Sequence, residues 1–558
     1  MIATIIVFVL NAVRLLRNGW RMLWRRRVDY VKITLRGQLP EFAAAVPWWR
    51  KRFLGAREPV SLSALRRQLF QIGDDPHTRG ILLEINGLAA GWATLQSLRA
   101  ELLRFRARGK RVVVYAYTLD NAGYFTACAA DEIITPPTAG FSVIGLFSEV
   151  QYFKDALAKW GISAEVEAVS PYKSAYENVV RSDMSAENRE QLERLLDERF
   201  STLVQAIAEG RGMSADAVRA LIDRAPLSGR AAQASGLIDA LLYEDQLEAQ
   251  LKHGDSAPII RDWDAARKAL RLPYVRRQRK LIGVVPIEGT IVAGGSRTVP
   301  LPLPLIGGAQ VGADNVAQAI RAAERNKRIA GVVIFVNSPG GDAFASDLMW
   351  REVLRLRKQK PVVVVMGDVA ASGGYYLAAP ASAIIAQPGT ITGSIGVISL
   401  RPVLAGLLTK ADIHTTTLSR GANSGLLATS QPLSETERAT WRRLIGETYQ
   451  EFKDRVSSGR GIDEHDLEPI AGGRVWTGTN AHALRLIDAF GGMPEGVRRA
   501  RELATLPADE RAPLVLLRGG RSETPPLPFP DAALLALLAS ADGVLRPRIW
   551  AILPFVGL

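Results

Sequence analysis

A serine and a lysine stand out because each survives in one copy of an internal repeat and is lost from the other. Ser372 lies in Asp368-Val-Ala-Ala-Ser372-Gly-Gly-Tyr375, and the residue 251 positions earlier is Asn121, in Leu119-Asp-Asn-Ala-Gly-Tyr124. Lys173 lies in Ser170-Pro-Tyr-Lys173-Ser-Ala175, and 251 positions later stands Ser424. A hydroxyl and an uncharged amine form a nucleophile–base pair. A free lysine titrates near 10.4, so burial in an apolar pocket must depress it before it can work as a base near neutral pH. Tyr172 and the apolar surface of the second copy are the expected walls of that pocket. Read alone, Lys173 is an ordinary surface lysine and Ser372 an ordinary helix N-cap. Complementary loss is the reason to join them. It predicts one site in one chain, assembled across the contact between the two copies; the alternative is a site between copy two of one chain and copy one of the next in a ring.

Three glycine-rich pieces accompany the serine. Asn337-Ser-Pro-Gly340-Gly341-Asp342 follows a buried apolar run, and glycines there let backbone amides approach a ligand or an oxyanion. The first copy has Leu88-Ala-Ala90 at that place, so the copy without the serine has also lost both glycines. Gly373 supplies a second amide beside Ser372. Gly389-Thr-Ile-Thr-Gly393-Ser394-Ile-Gly396 is extended and glycine-spaced, and can offer a strand edge to a peptide. Gly340, Gly341, Gly373, Gly393 and Ser394 are therefore the candidate oxyanion and substrate-binding residues. A histidine base has little to recommend it: His77, His253, His414, His465 and His482 lie in no motif. No His-Glu or Asp-rich metal motif is present, and neither metal nor cofactor is expected.

The elements that must position these residues repeat with the same spacing. Gly80 and Gly331, Asn86 and Asn337, Tyr124 and Tyr375, Ile133 and Ile384, and Gly145 and Gly396 are all 251 apart, and Leu237-Ile-Asp239-Ala recurs as Leu486-Ile-Asp488-Ala. Ile81–Ile85, Arg111–Tyr115, Val332–Val336 and Val362–Met366 are nearly unbroken apolar runs, the pattern of strands buried on both faces. Helical periodicity fills Trp92–Ala107 and Ala345–Gln359. Ser434 and Glu437 have capping-box spacing before a long polar helix. Lys280–Val292 opens the second copy as a strand, with Tyr30–Gly37 its worn counterpart. Repeats of this length indicate a duplicated α/β domain. The expected segments are 1–27, apolar then basic and membrane-associating; 28–260, the repeat with the lysine; 275–505, the repeat with the serine; and 506–558, a proline-rich tail ending in a leucine-rich helix candidate. The apolar Val299–Leu305 loop with its alternating prolines is expected at the surface.

At 558 residues and 47% apolar content, two cores plus ends is the natural reading. The single cysteine, Cys128, excludes an internal disulfide and reads as a core residue. The net charge of +14 begins with Arg14, Arg17, Arg21 and Arg25–Arg27, interleaved with Trp20, Leu23 and Trp24 after an apolar start. That start is shorter than the roughly 20 apolar residues a spanning helix needs. It also lacks the features of a cleaved leader. The pattern suits an interfacial amphipathic helix or a short, snorkelling anchor on an acidic membrane. Nucleic-acid binding is not expected, since no recognition motif accompanies the charge.

With these residues in view, the chain resembles the signal peptide peptidase A (protease IV) family in its long, two-copy bacterial form. The resemblance covers about residues 60–505. It rests on Ile282-Gly-Val-Val-Pro-Ile-Glu-Gly-Thr290, Val336-Asn-Ser-Pro-Gly-Gly341, Ala371-Ser-Gly-Gly-Tyr375, Thr392-Gly-Ser-Ile-Gly396 and Tyr172-Lys-Ser174. It implies tandem ClpP/crotonase-like ββα spiral domains, with Ser372 as nucleophile, Lys173 as general base and Gly340 and Gly341 in the oxyanion segment. It also implies a serine endopeptidase acting on apolar peptides such as cleaved signal peptides. The family works at the bacterial inner membrane with its body facing the periplasm, as a homo-oligomeric ring such as a tetramer. The arginines after the apolar start argue for the opposite face of the membrane. A crotonase-type acyl-CoA enzyme would share the oxyanion chemistry but leaves the Ser–Lys pair unexplained. A catalytically idle membrane scaffold would have no reason to keep both residues.

Overall fold

The computed structural model describes residues 2–23, 27–43, 53, 60–252, 256–274, 279–299, 308–520 and 548–552. Most of the Val299–Leu305 loop and the leucine-rich helix candidate lie outside the described residues. The chain forms two compact units, 1–146 with 197–277, and 147–196 with 278–558.

The first unit begins with helix α1 (Ile2–Leu23). Its last turns are tied to the same unit by reciprocal side-chain hydrogen bonds between Asn18 and the backbone of Leu272, each 3.1 Å. Strands β1 (Tyr30–Gln38) and β2 (Gly80–Ala89), helix α2 (Trp92–Ala107), β3 (Arg111–Ala116), helix α3 (Asn121–Ala127) and β4 (Glu132–Thr135) follow. The four strands form the middle of a six-stranded sheet, with residues 260–262 beside β1 and 240–241 beside β4. All its pairings are parallel. Val112, Val113 and Val114 are fully buried, as strands covered on both faces require. Cys128 is buried in this core, and burial pushes its thiol up to about 12.

The second unit takes β5 (Ser163–Ala168) and the first part of helix α4 (Ala186–Arg211) from the middle of the chain. It continues with β6 (Leu281–Glu288), β7 (Thr290–Val292), β8 (Ile329–Ser338), β9 (Gly340–Asp342), helix α5 (Ala343–Arg357), β10 (Val362–Ala371), helix α6 (Gly373–Ala378), β11 (Ala383–Ala386), β12 (Ile391–Gly393), β13 (Ile398–Val403), helix α7 (Glu435–Arg460), β14 (Val475–Thr477) and β15 (Arg548–Ile552). The long opening strand of this copy is thus two strands, broken at the left-handed Gly289. The Ser434–Glu437 capping box forms as its spacing predicts. An eight-stranded sheet runs β14-β12-β10-β8-β6 and then residues 514–516, with β11 also on β10. A second sheet places β7, β9, β15, β13 and β5 side by side.

Equivalent bonds confirm the duplication. The Tyr124 hydroxyl donates to the Leu237 carbonyl at 2.7 Å, and that of Tyr375 to the Leu486 carbonyl at 2.9 Å. The amides of Ile133 and Ile384 each donate to an aspartate, Asp239 and Asp488, at 2.7 Å. Arg211 and Arg460 pair with those same aspartates.

Candidate active site

The lysine-bearing segment of the first copy packs in the second unit, with the serine, so one chain's two copies share the pair, as the repeat predicts, and the pair lies inside one compact unit. The cause is strand pairing. β5 runs antiparallel to β13 from Ser163↔Val403 to Ala168↔Ile398. Ion pairs fasten the two strands to α7. Glu165 meets the fully buried Arg401 guanidinium at 2.5 Å and Arg438 at 2.5 Å, while Glu167 meets Arg438 at 3.1 Å and Arg442 at 3.2 Å. Beyond β5, the chain turns at Ser170, whose hydroxyl donates to the Gly472 carbonyl, and delivers Lys173.

β10 delivers Ser372 to the start of α6. Its φ of 53° is in the region that non-glycine residues rarely occupy. The strained turn is held by the Ser372 amide donating to the Gly393 carbonyl and the Tyr376 amide donating to the Ser372 carbonyl, both 2.8 Å. The Ser372 side chain makes no cap hydrogen bond. In the first unit, by contrast, Asp120 caps α3 through the Gly123 amide at 2.7 Å, and Asn121 donates to the Gly145 carbonyl at 2.6 Å. The hydroxyl of Ser372 is therefore free for another task, as the N-cap reading would not have it.

Lys173 Nζ lies 2.7 Å from Ser372 Oγ, 2.7 Å from the Ser394 carbonyl and 2.9 Å from Ser394 Oγ. Both Lys173 and Ser372 are buried. Burial alone holds the amine well below its ordinary value. A neutral amine has two N–H donors and one lone pair. The Ser394 carbonyl and hydroxyl accept the donors, which leaves the lone pair for the Ser372 proton. Ser394 itself is fixed at φ 50° by its amide, which donates to the Arg474 carbonyl at 2.7 Å.

The cover of the lysine is not Tyr172, whose hydroxyl reaches outward to Glu190 at 2.9 Å. It is Gly473: a Cβ there would lie 2.6 Å from Lys173 Cβ and 2.8 Å from its Cδ. Gln191 braces the same place, donating to the Tyr172 carbonyl at 3.1 Å and accepting from the Val475 amide at 2.9 Å. Sequence reasoning missed Gly473 and Gln191; the paired glycines of Ala471-Gly-Gly-Arg474 were the available signal.

The glycines take distinct places. Gly340 opens β9, and its amide donates to Ser338 Oγ at 3.2 Å. Gly341 is pressed against β7, where a Cβ would lie 2.0 Å from the Ile291 carbonyl oxygen. Gly393 is left-handed and sits under Trp476. Gly373 and Gly374 give α6 its first amides, which have no carbonyl partner inside the helix. The turn and the helix adjoin: a Cβ on Gly374 would lie 3.0 Å from the Ser338 carbonyl oxygen. At the positions that the repeat pairs with Ser372 and Lys173, the first copy's Asn121 is bound to Gly145, and the second copy's Ser424 is exposed and bonded locally to the Gly421 carbonyl at 2.9 Å.

A model of peptidase family S49 matches residues 104–257 and 355–507, more than half of the chain. The chain belongs to peptidase family S49. It is a serine peptidase with two S49 copies, and a Clp protease model also matches residues 308–389, in keeping with tandem ClpP-like α/β domains. This S49 peptidase is 33% identical over 523 residues to the chloroplastic serine protease SPPA of Arabidopsis thaliana, covering 92% of this chain and 74% of that one. It is 32% identical over 450 residues to Protease 4 of Haemophilus influenzae, covering 78% and 71%. A putative signal peptide peptidase SppA of Enterococcus faecium is 32% identical over 178 residues, covering 32% and 52%.

Proposed function

We propose that this S49 peptidase is a membrane-associated endopeptidase that cleaves apolar peptides, signal-peptide remnants among them, with a Ser372–Lys173 dyad. The observation that carries the reading is the buried 2.7 Å approach of Lys173 Nζ to Ser372 Oγ, with no charged partner for the amine among the described residues. Lys173 takes the Ser372 proton as Oγ attacks the substrate carbonyl. The amides of Gly373 and the Gly340–Gly341 turn meet the developing oxyanion. Lys173 then gives the proton to the leaving amine, and a water deacylates the serine by the reverse path. Substrate enters as an extended strand beside β9 and β13, where backbone pairing gives binding that is tolerant of side chains.

Membrane association rests on α1, where Phe8, Leu16 and Trp20 are exposed. Among the described residues no helix is long and apolar enough to cross a membrane. The helix is read as lying in the interface with its arginines toward acidic headgroups. Exposed Phe147, Trp160 and Leu418 support assembly of copies into a ring.

The test compares Ser372→Ala with Asn121→Ala in hydrolysis of an apolar peptide. Ser372→Ala abolishes turnover while leaving the thermal transition in place, and Asn121→Ala keeps most of it. Equal loss in both variants would sink the single-site reading.

A further inference from the structure

One helix holds both sides of the lysine. On α7, Arg438, Arg442, Ile445 and Tyr449 recur at spacings of four, three and four, which puts them on one face. Arg438 and Arg442 grip Glu165 and Glu167 of β5, the strand that leads into Lys173. Two helical turns beyond Arg442, Tyr449 grips the turn that covers the lysine. Ala471-Gly472-Gly473-Arg474 is closed by the Arg474 amide, which donates to the Ala471 carbonyl at 3.1 Å. Its central residues have φ of 60° and 83°, the left-handed pair of a type I′ turn, which glycine adopts without strain. The Gly473 amide donates to the Ile395 carbonyl at 2.8 Å, and the Gly472 carbonyl accepts from Ser170 Oγ. That leaves the Gly472 amide, which donates to the Tyr449 hydroxyl at 2.9 Å. The hydroxyl in turn donates to Glu468 at 3.1 Å, and burial pushes it up, so it keeps its proton.

The repeat points to the same residue. α4 and α7 are each 26 residues long and begin 249 apart, the spacing at which Leu237-Ile-Asp239 recurs as Leu486-Ile-Asp488. At that spacing Tyr449 stands where the first copy has Phe200, and Gly472-Gly473 where it has Asp223-Arg224. The aromatic ring is kept, and that of Phe200 packs on the core of the first unit. The hydroxyl and both glycines are missing from the copy whose turn has no lysine to cover. A ring is therefore enough to pack this helix, and the hydroxyl belongs with the turn.

We propose that Tyr449 is a positioning residue for the Ser372–Lys173 dyad: through the Gly472 amide it fixes the turn that closes on the lysine stem and keeps water from the amine. The inference rests on the dyad reading for what this placement serves. Gly473 packs directly on the Lys173 stem, so a turn freed at Gly472 carries the cover of the lysine with it. Without the hydroxyl, the Gly472 amide loses its partner and must find water in its place. Water beside the turn reaches an amine that burial alone holds down, and its value moves back up. The charged groups nearby are already matched. Lys453, Glu464 and Glu468 are grouped around the Tyr449 ring, and Arg474 is stacked on Tyr172 and paired with Glu190.

The experiment compares the full chain with two full-length variants. Tyr449→Phe keeps the ring, as Phe200 does, and removes only the hydroxyl. Lys453→Met disturbs the other neighbours of that ring and leaves the Gly472 bond in place. For each, kcat and KM on an apolar peptide are measured against pH, thermal unfolding is followed, and the Lys173 amine is titrated by NMR with isotopically labelled lysine, its signal assigned by its loss in Lys173→Met. Tyr449→Phe should lose about tenfold in kcat with KM within about twofold. The low-pH limb of its rate profile and its Lys173 titration should move up together, by about 0.5 in pH. Lys453→Met should keep kcat within about twofold and the limb in place, whatever stability it loses. A Tyr449→Phe chain with near-normal kcat and an unmoved lysine titration, or an equal change in Lys453→Met, overturns the proposal. The NMR arm needs no turnover, so a titration moved by Tyr449→Phe in a chain that hydrolyses nothing contradicts the dyad reading and leaves the positioning of Lys173 standing.

Discussion

Gly473→Ala is the sharpest test of how the lysine is placed. The added Cβ would lie 2.6 Å from Lys173 Cβ and 2.8 Å from its Cα and Cδ. Carbon atoms sit comfortably at about 3.5–4.0 Å, so the two segments must part by roughly 1 Å. Lys173 Nζ now stands 2.7 Å from Ser372 Oγ. The same shift carries it to about 3.7 Å, beyond the roughly 3.2 Å reach of a general base. A misplacement of about 1 Å costs on the order of 100-fold, or about 2.7 kcal/mol of transition-state stabilisation. The left-handed φ of 83° adds about 1–2 kcal/mol of folding cost for alanine. Gly472→Ala is the matched control. Its φ of 60° brings the same backbone cost, but its nearest neighbours are Ser170 Oγ at 3.3 Å and Ser170 Cβ at 3.6 Å, not the lysine. The assay is kcat/KM on an apolar peptide, with thermal unfolding of both variants. Gly473→Ala should lose more stability than Gly472→Ala, by the roughly 1–3 kcal/mol of overpacking, and it alone should lose about 100-fold in kcat/KM. A folded Gly473→Ala within threefold of wild type, or an equal loss in Gly472→Ala, would refute the reasoning.

Other outcomes follow from the same geometry. Activity should rise with pH through the depressed lysine value, since the amine must be neutral to accept a proton; a flat profile across that range contradicts a lysine base. The lowered folded value also makes stability pH-dependent. Directly below about 10.4 the unfolded chain holds a proton that the folded chain lacks, so stability falls with falling pH by about 1.4 kcal/mol per unit. Lys173→Met should remove that slope in urea unfolding. Lys173→Arg should be as inactive as Lys173→Met, because a guanidinium stays charged. Arg401→Met removes the fully buried partner of Glu165, which keeps Arg438, and should cost about 1–3 kcal/mol in urea unfolding, with loss of turnover as β5 loosens. Mixed Ser372→Ala and Lys173→Ala chains should stay inactive after subunit exchange, since the pair forms within one unit of one chain; recovery of roughly a quarter of wild-type activity, as random pairing of independent sites gives, would contradict this.

Much of this architecture is legible in the chain itself. The β-branched runs at Val362–Met366 and Arg111–Tyr115 are strands because only burial on both faces suits them. Trp92–Ala107 forms with the bounds its periodicity predicts. The repeat brought Ser372 and Lys173 together because each had lost its duplicate. Long-range partners were harder to see. β5 alternates acidic and small residues, and nothing local shows that Glu165 and Glu167 will meet Arg401, Arg438 and Arg442. That pairing is what moves Lys173 into the second unit. Gly473 reads as a turn glycine until the Lys173 stem is seen against it. Ser394 reads as part of a substrate edge, whereas its hydroxyl and carbonyl hold the lysine. Ile549-Trp-Ala-Ile552 follows a proline-rich stretch and reads as tail, because a strand's partner is not written in its own residues.

The central claim is that Ser372 is an activated nucleophile and Lys173 the group that activates it. Fluorophosphonate labelling followed against pH, with the modified residue located by peptide mass spectrometry, tests this most directly. The wild-type chain should take one label, on Ser372, at a rate that rises with pH as Lys173 loses its proton, and Lys173→Met should label at least 100-fold more slowly with no such rise. Labelling at another residue, or equal rates in wild type and Lys173→Met, would contradict the account.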